Sequence, residues 1–241
     1  MHPPPLPHQV AVLQRVLDRV TVASVDGGPC PLVIFGIDGT LYDNRPRTLE
    51  ILAEYAEIGH EDIREALLSL ENEHVHSLLS QTLRECGVHH DEIVTEITSF
   101  WRERFFSELY LQWDEARVGA AHYVRALRDA GAQIAYVSGR DIPGMFLGTL
   151  ARMRDDDFIV ASPGIQVVLK PDATLGDESF KRGAFKALRR MGDVVAVFDS
   201  NPNICEMARA IHPSADIGLI DAWATGPSEE ANIEVVRDFR L

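Results

Sequence analysis

Five short, mainly apolar runs, each stopped by turn or polar residues, constrain this chain more than any other feature. They are Leu32-Val33-Ile34-Phe35, Ile134-Ala135-Tyr136-Val137, Gln166-Val167-Val168-Leu169, Val194-Val195-Ala196-Val197-Phe198 and Ile217-Gly218-Leu219-Ile220. Runs of that length suit strands buried on both faces of a parallel sheet. Helical periodicity fills residues 120–130, 142–153, 178–191 and 202–211 between them. Strands alternating with helices imply right-handed crossovers and a sheet covered on both sides. The fold class is therefore α/β with a parallel sheet.

Between the first two runs the pattern changes. From about residue 48 to 111, apolar residues recur at helical spacing, as in Leu49-Ile51-Leu52-Tyr55 and Ile93-Ile97-Trp101-Phe105, and strand signals are absent. The stretch predicts an all-helical module of three or four helices inserted between strands. Trp101, Phe105 and Phe106 read as its core, and His74, His76, His89 and His90 as surface or core positions rather than metal ligands. Ahead of the first run, residues 10–22 read as an amphipathic helix, broken at Asp26-Gly27-Gly28-Pro29.

Charge narrows the partners. Lys and Arg total 23 against 37 Asp and Glu, a formal net charge of −14, which repels nucleic acid and anionic membranes. The start, Met1-His2-Pro3-Pro4-Pro5-Leu6-Pro7, has no basic segment followed by an apolar one, and no stretch matches a membrane span. Cys30, Cys86 and Cys205 are far apart and read as reduced thiols, so the expected location is cytoplasmic.

In an open α/β sheet, ligands bind at the carboxyl ends of the strands. The residues there are Gly36-Ile37-Asp38-Gly39-Thr40, Ser138-Gly139-Arg140-Asp141, Lys170-Pro171-Asp172 and Asp199-Ser200-Asn201. Gly39 allows a tight turn, and Thr40 offers a hydroxyl and a backbone N–H. Positions 36 and 38 share a strand face. Two carboxylates there would divide the labour of attack and proton transfer. Here only Asp38 carries one. Ser138 with Gly139 suits phosphate oxygens, and equally reads as a helix N-cap. A carboxylate buried at a strand end, as at Asp199, asks for a balancing cation, whereas Asn201-Pro202 reads as an N-cap and first turn.

These segments together resemble the haloacid dehalogenase (HAD) superfamily. Val33-Ile34-Phe35-Gly36-Ile37-Asp38-Gly39-Thr40-Leu41 is similar to the first motif, Asp-x-Asp-Gly-Thr-Leu. Tyr136-Val137-Ser138-Gly139-Arg140 is similar to the second, and Val197-Phe198-Asp199 to the fourth. The third supplies a lysine, Lys181 four residues after Asp177, with Lys170 as the alternative. The resemblance implies a Rossmann-like core over residues 1–43 and 118–241, with an N-terminal helical extension over 1–30 and a helical cap over 44–117. It implies a Mg²⁺-dependent phosphomonoester hydrolase acting on a small phosphorylated molecule. Asp38 would be general acid and base, and Thr40, Ser138, Gly139 and Lys181 would hold phosphate. Asp199 and the Asp38 carbonyl would hold the metal. Asp43-Asn44-Arg45-Pro46-Arg47 would be the hinge into the cap, where Arg45 and Arg47 read as solvated, or else as reaching substrate.

The sequence departs from the family at the decisive position. The nucleophilic aspartate falls at Gly36, which can neither attack phosphorus nor ligate metal, and Ser200 stands where many relatives have a second acid or amide. Two functional readings follow. A disabled phosphatase would regain activity with an aspartate at position 36. A pseudoenzyme that binds a phosphorylated ligand or partner would not.

Overall fold

The computed structural model describes residues 4–25, 27–222 and 233–241. Met1, His2, Pro3 and the Asp26 of the expected helix break lie outside the described residues. The sheet has six strands: β1 (Pro31–Gly36), β4 (Gln133–Asp141), β5 (Ile165–Lys170), β6 (Asp193–Asp199), β7 (Asp216–Ile220) and β8 (Glu234–Val236). Their order is β5-β4-β1-β6-β7-β8, and every pairing is parallel. The chain leaves β1 towards β4 and β5, then returns to β6 on the other side. The carboxyl end of β1 is thus next to the point where strand order reverses, where a crevice opens in such sheets.

Both faces of β1 are buried, as expected of a central strand. Val33 and Phe35 join one apolar cluster and Leu32 and Ile34 another, because alternate side chains point to opposite faces. The first cluster packs α1 (Pro7–Val25), α6 (Ala120–Asp129) and α7 (Ile142–Asp155) on the sheet. The second packs α8 (Asp177–Leu188) and α9 (Pro202–Ile211). Phe35, Tyr123, Phe198 and Phe239 form an aromatic knot within the first cluster, Phe35 stacking on Phe198 at a centroid distance of 5.2 Å.

Between β1 and α6 lie four α-helices, α2 (Arg45–Ile58), α3 (Glu61–Leu68), α4 (Leu79–Glu85) and α5 (Asp91–Phe105), with 3-10 turns at Asn72–His74 and Glu108–Trp113. They bury a cluster of their own, centred on Leu52, Leu83 and Ile97. The insertion enters and leaves through a two-stranded neck, β2 (Tyr42–Asp43) antiparallel to β3 (Glu115–Ala116). Among the described residues no helix is long and apolar enough to cross a membrane.

Several details correct the sequence reading. Helix α1 runs from Pro7 to Val25, beyond the expected 10–22, and buries Gln9 beside Val12, Leu13, Val16 and Val20. Strand β4 continues through Ser138 to Asp141, with its register interrupted between those residues, so Ser138 is inside the strand and not after it. Strand β8 and the neck strands are too short for any periodicity to reveal. Phe106 is 45% exposed and is not core.

Candidate functional site

The turn after β1 is built on one carbonyl. Ile37 O accepts from the backbone N–H groups of Thr40, Leu41 and Tyr42 at 3.2, 2.9 and 3.0 Å. Such a reversal needs a left-handed residue, and Gly39 takes φ +70°. A Cβ there would come within 2.4 Å of Ser200 Oγ. The turn holds Asp38 at the carboxyl end of the sheet, facing Ser138 from β4.

The Asp38 carboxylate is surrounded by donors. Ser138 Oγ donates to its Oδ2 at 3.0 Å. Arg140 grips both oxygens, with Nε 2.9 Å from Oδ2 and Nη2 2.8 Å from Oδ1. Arg47 Nη2 adds a third cationic contact at 2.7 Å to Oδ1. Burial alone would raise the pKa of Asp38, but Arg140 and then Arg47 hold it well below the usual carboxylate range.

The same two arginines share a second acid. Asp114, just after the Glu108–Trp113 turn, lies 3.0 Å from Arg47 Nε and 2.7 Å from Arg140 Nη2, with its side chain fully buried. Asn44 Nδ2 donates to Asp114 at 2.9 Å, while its Oδ1 accepts from Gly39 N at 2.7 Å. Arg47 also donates to Phe105 O at 2.9 Å and stacks over the Phe105 ring at 3.7 Å. Two carboxylates and two guanidinium groups thus form a closed network between the sheet, through Asp38 and Arg140, and the insertion, through Arg47 and Asp114. Arg47 is therefore not a solvated hinge residue: its side chain is 0% exposed, because two carboxylates and a ring draw it inward. Arg45 is turned elsewhere and pairs with Asp43.

Most of the remaining expected site residues are engaged with neighbouring side chains or backbone. Lys181 Nζ lies 2.6 Å from Asp199 Oδ2, both side chains nearly buried, and Asp199 Oδ1 accepts from Asn201 N at 3.0 Å. Lys170 instead meets Asp177, at 2.9 Å. Thr40 is wholly buried, and its Oγ1 has no hydrogen-bond partner among the described residues. Ser200 Oγ donates to Asp38 O at 3.2 Å. Asn201 caps α9, accepting from Asn203 N at 2.9 Å. Gly139 lies so close to Asp177 that a Cβ would come within 2.2 Å of Oδ2. At Gly36, a Cβ would come within 2.6 Å of Thr40 Oγ1 and 2.9 Å of Asp199 Oδ2. The neighbours have closed over the place a side chain would occupy.

A cavity of about 190 Å³ remains between the strand ends and the helices, lined by Asp38, Ser200, Asn44 and Thr48 together with His76, Leu79, Trp101 and Phe105. The sequence reading missed Asp114 altogether and gave Arg140 no role. Arg140 stood in the Ser-Gly-Arg segment already singled out, while nothing around Asp114 marks it.

The haloacid dehalogenase-like hydrolase family profile matches residues 30–212, from the start of β1 to the end of α9. This chain belongs to that family. Among solved structures, protein tyrosine kinase A of Mycobacterium tuberculosis is similar with a TM-score of 0.55 at 17% identity, over 87% of this chain and 94% of that one. A haloacid dehalogenase-like protein of Streptococcus pneumoniae follows at 0.53 and 9%, over 85% and 92%. A predicted phosphatase of Clostridium acetobutylicum matches at 0.51 and 16%, over 86% and 93%. At these identities the likeness establishes the Rossmann-like HAD fold alone. No curated protein matches the sequence.

Proposed function

We propose that this chain is a non-catalytic member of the haloacid dehalogenase-like hydrolases, acting by binding rather than by turnover. The observation that carries the reading is the clamp on Asp38. A general acid must carry a proton near neutral pH, and a carboxylate held by two guanidinium groups and a serine hydroxyl stays ionised. With glycine at position 36 no carboxylate stands ready to attack phosphorus. Two of the groups that would grip phosphate are committed internally: Ser138 to Asp38 and Lys181 to Asp199.

The residues do not fit Mg²⁺. That ion is held by one or two carboxylates and demands near-octahedral oxygen geometry. Position 36 supplies no oxygen, Ser200 occupies the Asp38 carbonyl, and Lys181 covers Asp199. Among the described residues no group of three or more His, Cys, Asp or Glu is placed to hold a metal. In this reading the buried Lys181 ammonium takes the part of the cation that balances Asp199. The helices of residues 45–105 act as a cap locked to the sheet by the network of Arg47, Asp114, Asp38 and Arg140. A cytoplasmic location is supported by the three free cysteines.

The test is a phosphatase panel, with Mg²⁺ and with chelator, on the native chain and on Gly36→Asp. Neither form should turn over substrate, and Gly36→Asp should lose about 1–3 kcal/mol of stability from overpacking. Mg²⁺-dependent hydrolysis by the native chain at an ordinary enzymatic rate, about 1 s⁻¹ or more, would overturn the proposal. Strong activity gained by Gly36→Asp would show that the pocket is merely short of one group.

A further inference from the structure

A second cavity, of about 560 Å³, lies at the neck of the insertion and shares no lining residue with the cavity at Asp38. Five arginines line it, Arg45, Arg117, Arg152, Arg237 and Arg240, against four acids. In a chain of net charge −14 that is a local reversal of sign.

The pairing within it is incomplete. Arg45 pairs with Asp43, Arg152 Nε with Asp156 at 2.9 Å, and Arg240 Nη2 with Asp238 at 2.6 Å. Arg117 and Arg237 have no carboxylate within 4.0 Å among the described residues. Arg117 is half-buried, and its guanidinium donates to Gly39 O at 3.0 and 3.3 Å. Burial is also the largest influence on its pKa, which is lowered. Asp43, Asp221 and Asp238 act on it only through space, so the guanidinium is drawn out of water without a carboxylate in direct contact. Its planar fork matches the oxygens of phosphate in a bidentate manner.

We infer that this neck cavity binds a small oxyanion of the phosphate type, held by Arg117 and Arg237, whose guanidinium groups have no carboxylate in contact among the described residues. Because Arg117 also holds Gly39 O, such a ligand would tie the turn that carries Asp38 to both neck strands. The inference stands independently of the non-catalytic reading, since no residue lining the cavity at Asp38 lines this one.

Inorganic phosphate is the probe, titrated into the full chain against sodium chloride of equal ionic strength and followed by thermal unfolding and calorimetry. The native chain should show a saturable rise in Tm and a matching binding heat at millimolar phosphate. Arg237→Gln, at an exposed position, should weaken the midpoint about tenfold, the loss expected of one charged hydrogen-bond donor. Arg117→Gln should do the same. A rise that never saturates and is equal in all forms is the general effect of an excluded salt and overturns the site. Binding that survives Arg237→Gln but is abolished by Lys181→Met would overturn it too, by moving phosphate to the strand ends.

Discussion

Asp114→Asn is the perturbation that most directly interrogates the charge network. The substitution keeps the shape and removes the fully buried one of the two carboxylates that face Arg47 and Arg140. Deleting one partner of a buried ion pair typically costs about 3–5 kcal/mol, because the other charge is left uncompensated. Here Asp38 still faces both arginines, at 2.7 and 2.8 Å, so the lower end applies, about 3 kcal/mol. For a chain of 241 residues, each kcal/mol moves Tm by about 2–4 °C, giving a fall of about 6–12 °C. Urea unfolding supplies the free energy and differential scanning calorimetry the temperature. Arg47→Met should be costly alone, but the double variant should cost less than the two single losses combined, by about 1 kcal/mol or more, since both act on one network. A loss below about 1 kcal/mol for Asp114→Asn, or strict additivity in the double variant, would refute the account of the network as a single electrostatic unit.

Two further outcomes follow from other buried groups. Lys181→Met should destabilise the chain by about 3 kcal/mol or more in urea unfolding at pH 7, by stranding the Asp199 carboxylate; a neutral result would show that Asp199 does not depend on the lysine. His212 is buried, and burial followed by the nearby Arg189 lowers its pKa. The unfolded chain therefore binds the extra proton just below the ordinary histidine pKa of about 6.5. Stability should rise with pH up to that value and level off above it, and the urea midpoint of His212→Gln should lack that part of the slope; an unchanged slope would assign it to other groups.

Much of the architecture was legible before any coordinates. The apolar runs at 32–35, 134–137, 194–198 and 217–220 all lie in strands, and the break of periodicity between residues 48 and 111 marks the helical insertion. These signals are local: burial on both faces selects unbroken apolar runs, and burial on one face of a helix selects spacing near 3.6. The segments at the strand ends were also recognisable, since the turn at Gly39 and the cap at Asn201 are set by neighbouring residues.

What only the tertiary structure decided is how those strand-end groups are used. Asp38 and Arg140 stand 102 positions apart, and Asn44 and Asp114 70 apart. Arg47 sat in a segment whose composition suggested a solvated hinge, and Asp114 followed a tryptophan in no motif. Periodicity reports which face of an element is buried, but it carries no record of which charge on a distant element will meet it. The sequence alone determined that the chain has the frame of the HAD fold, with a glycine at position 36. Folding decided that the remaining charges neutralise one another, because ion pairs depend on distance in space and not on separation along the chain.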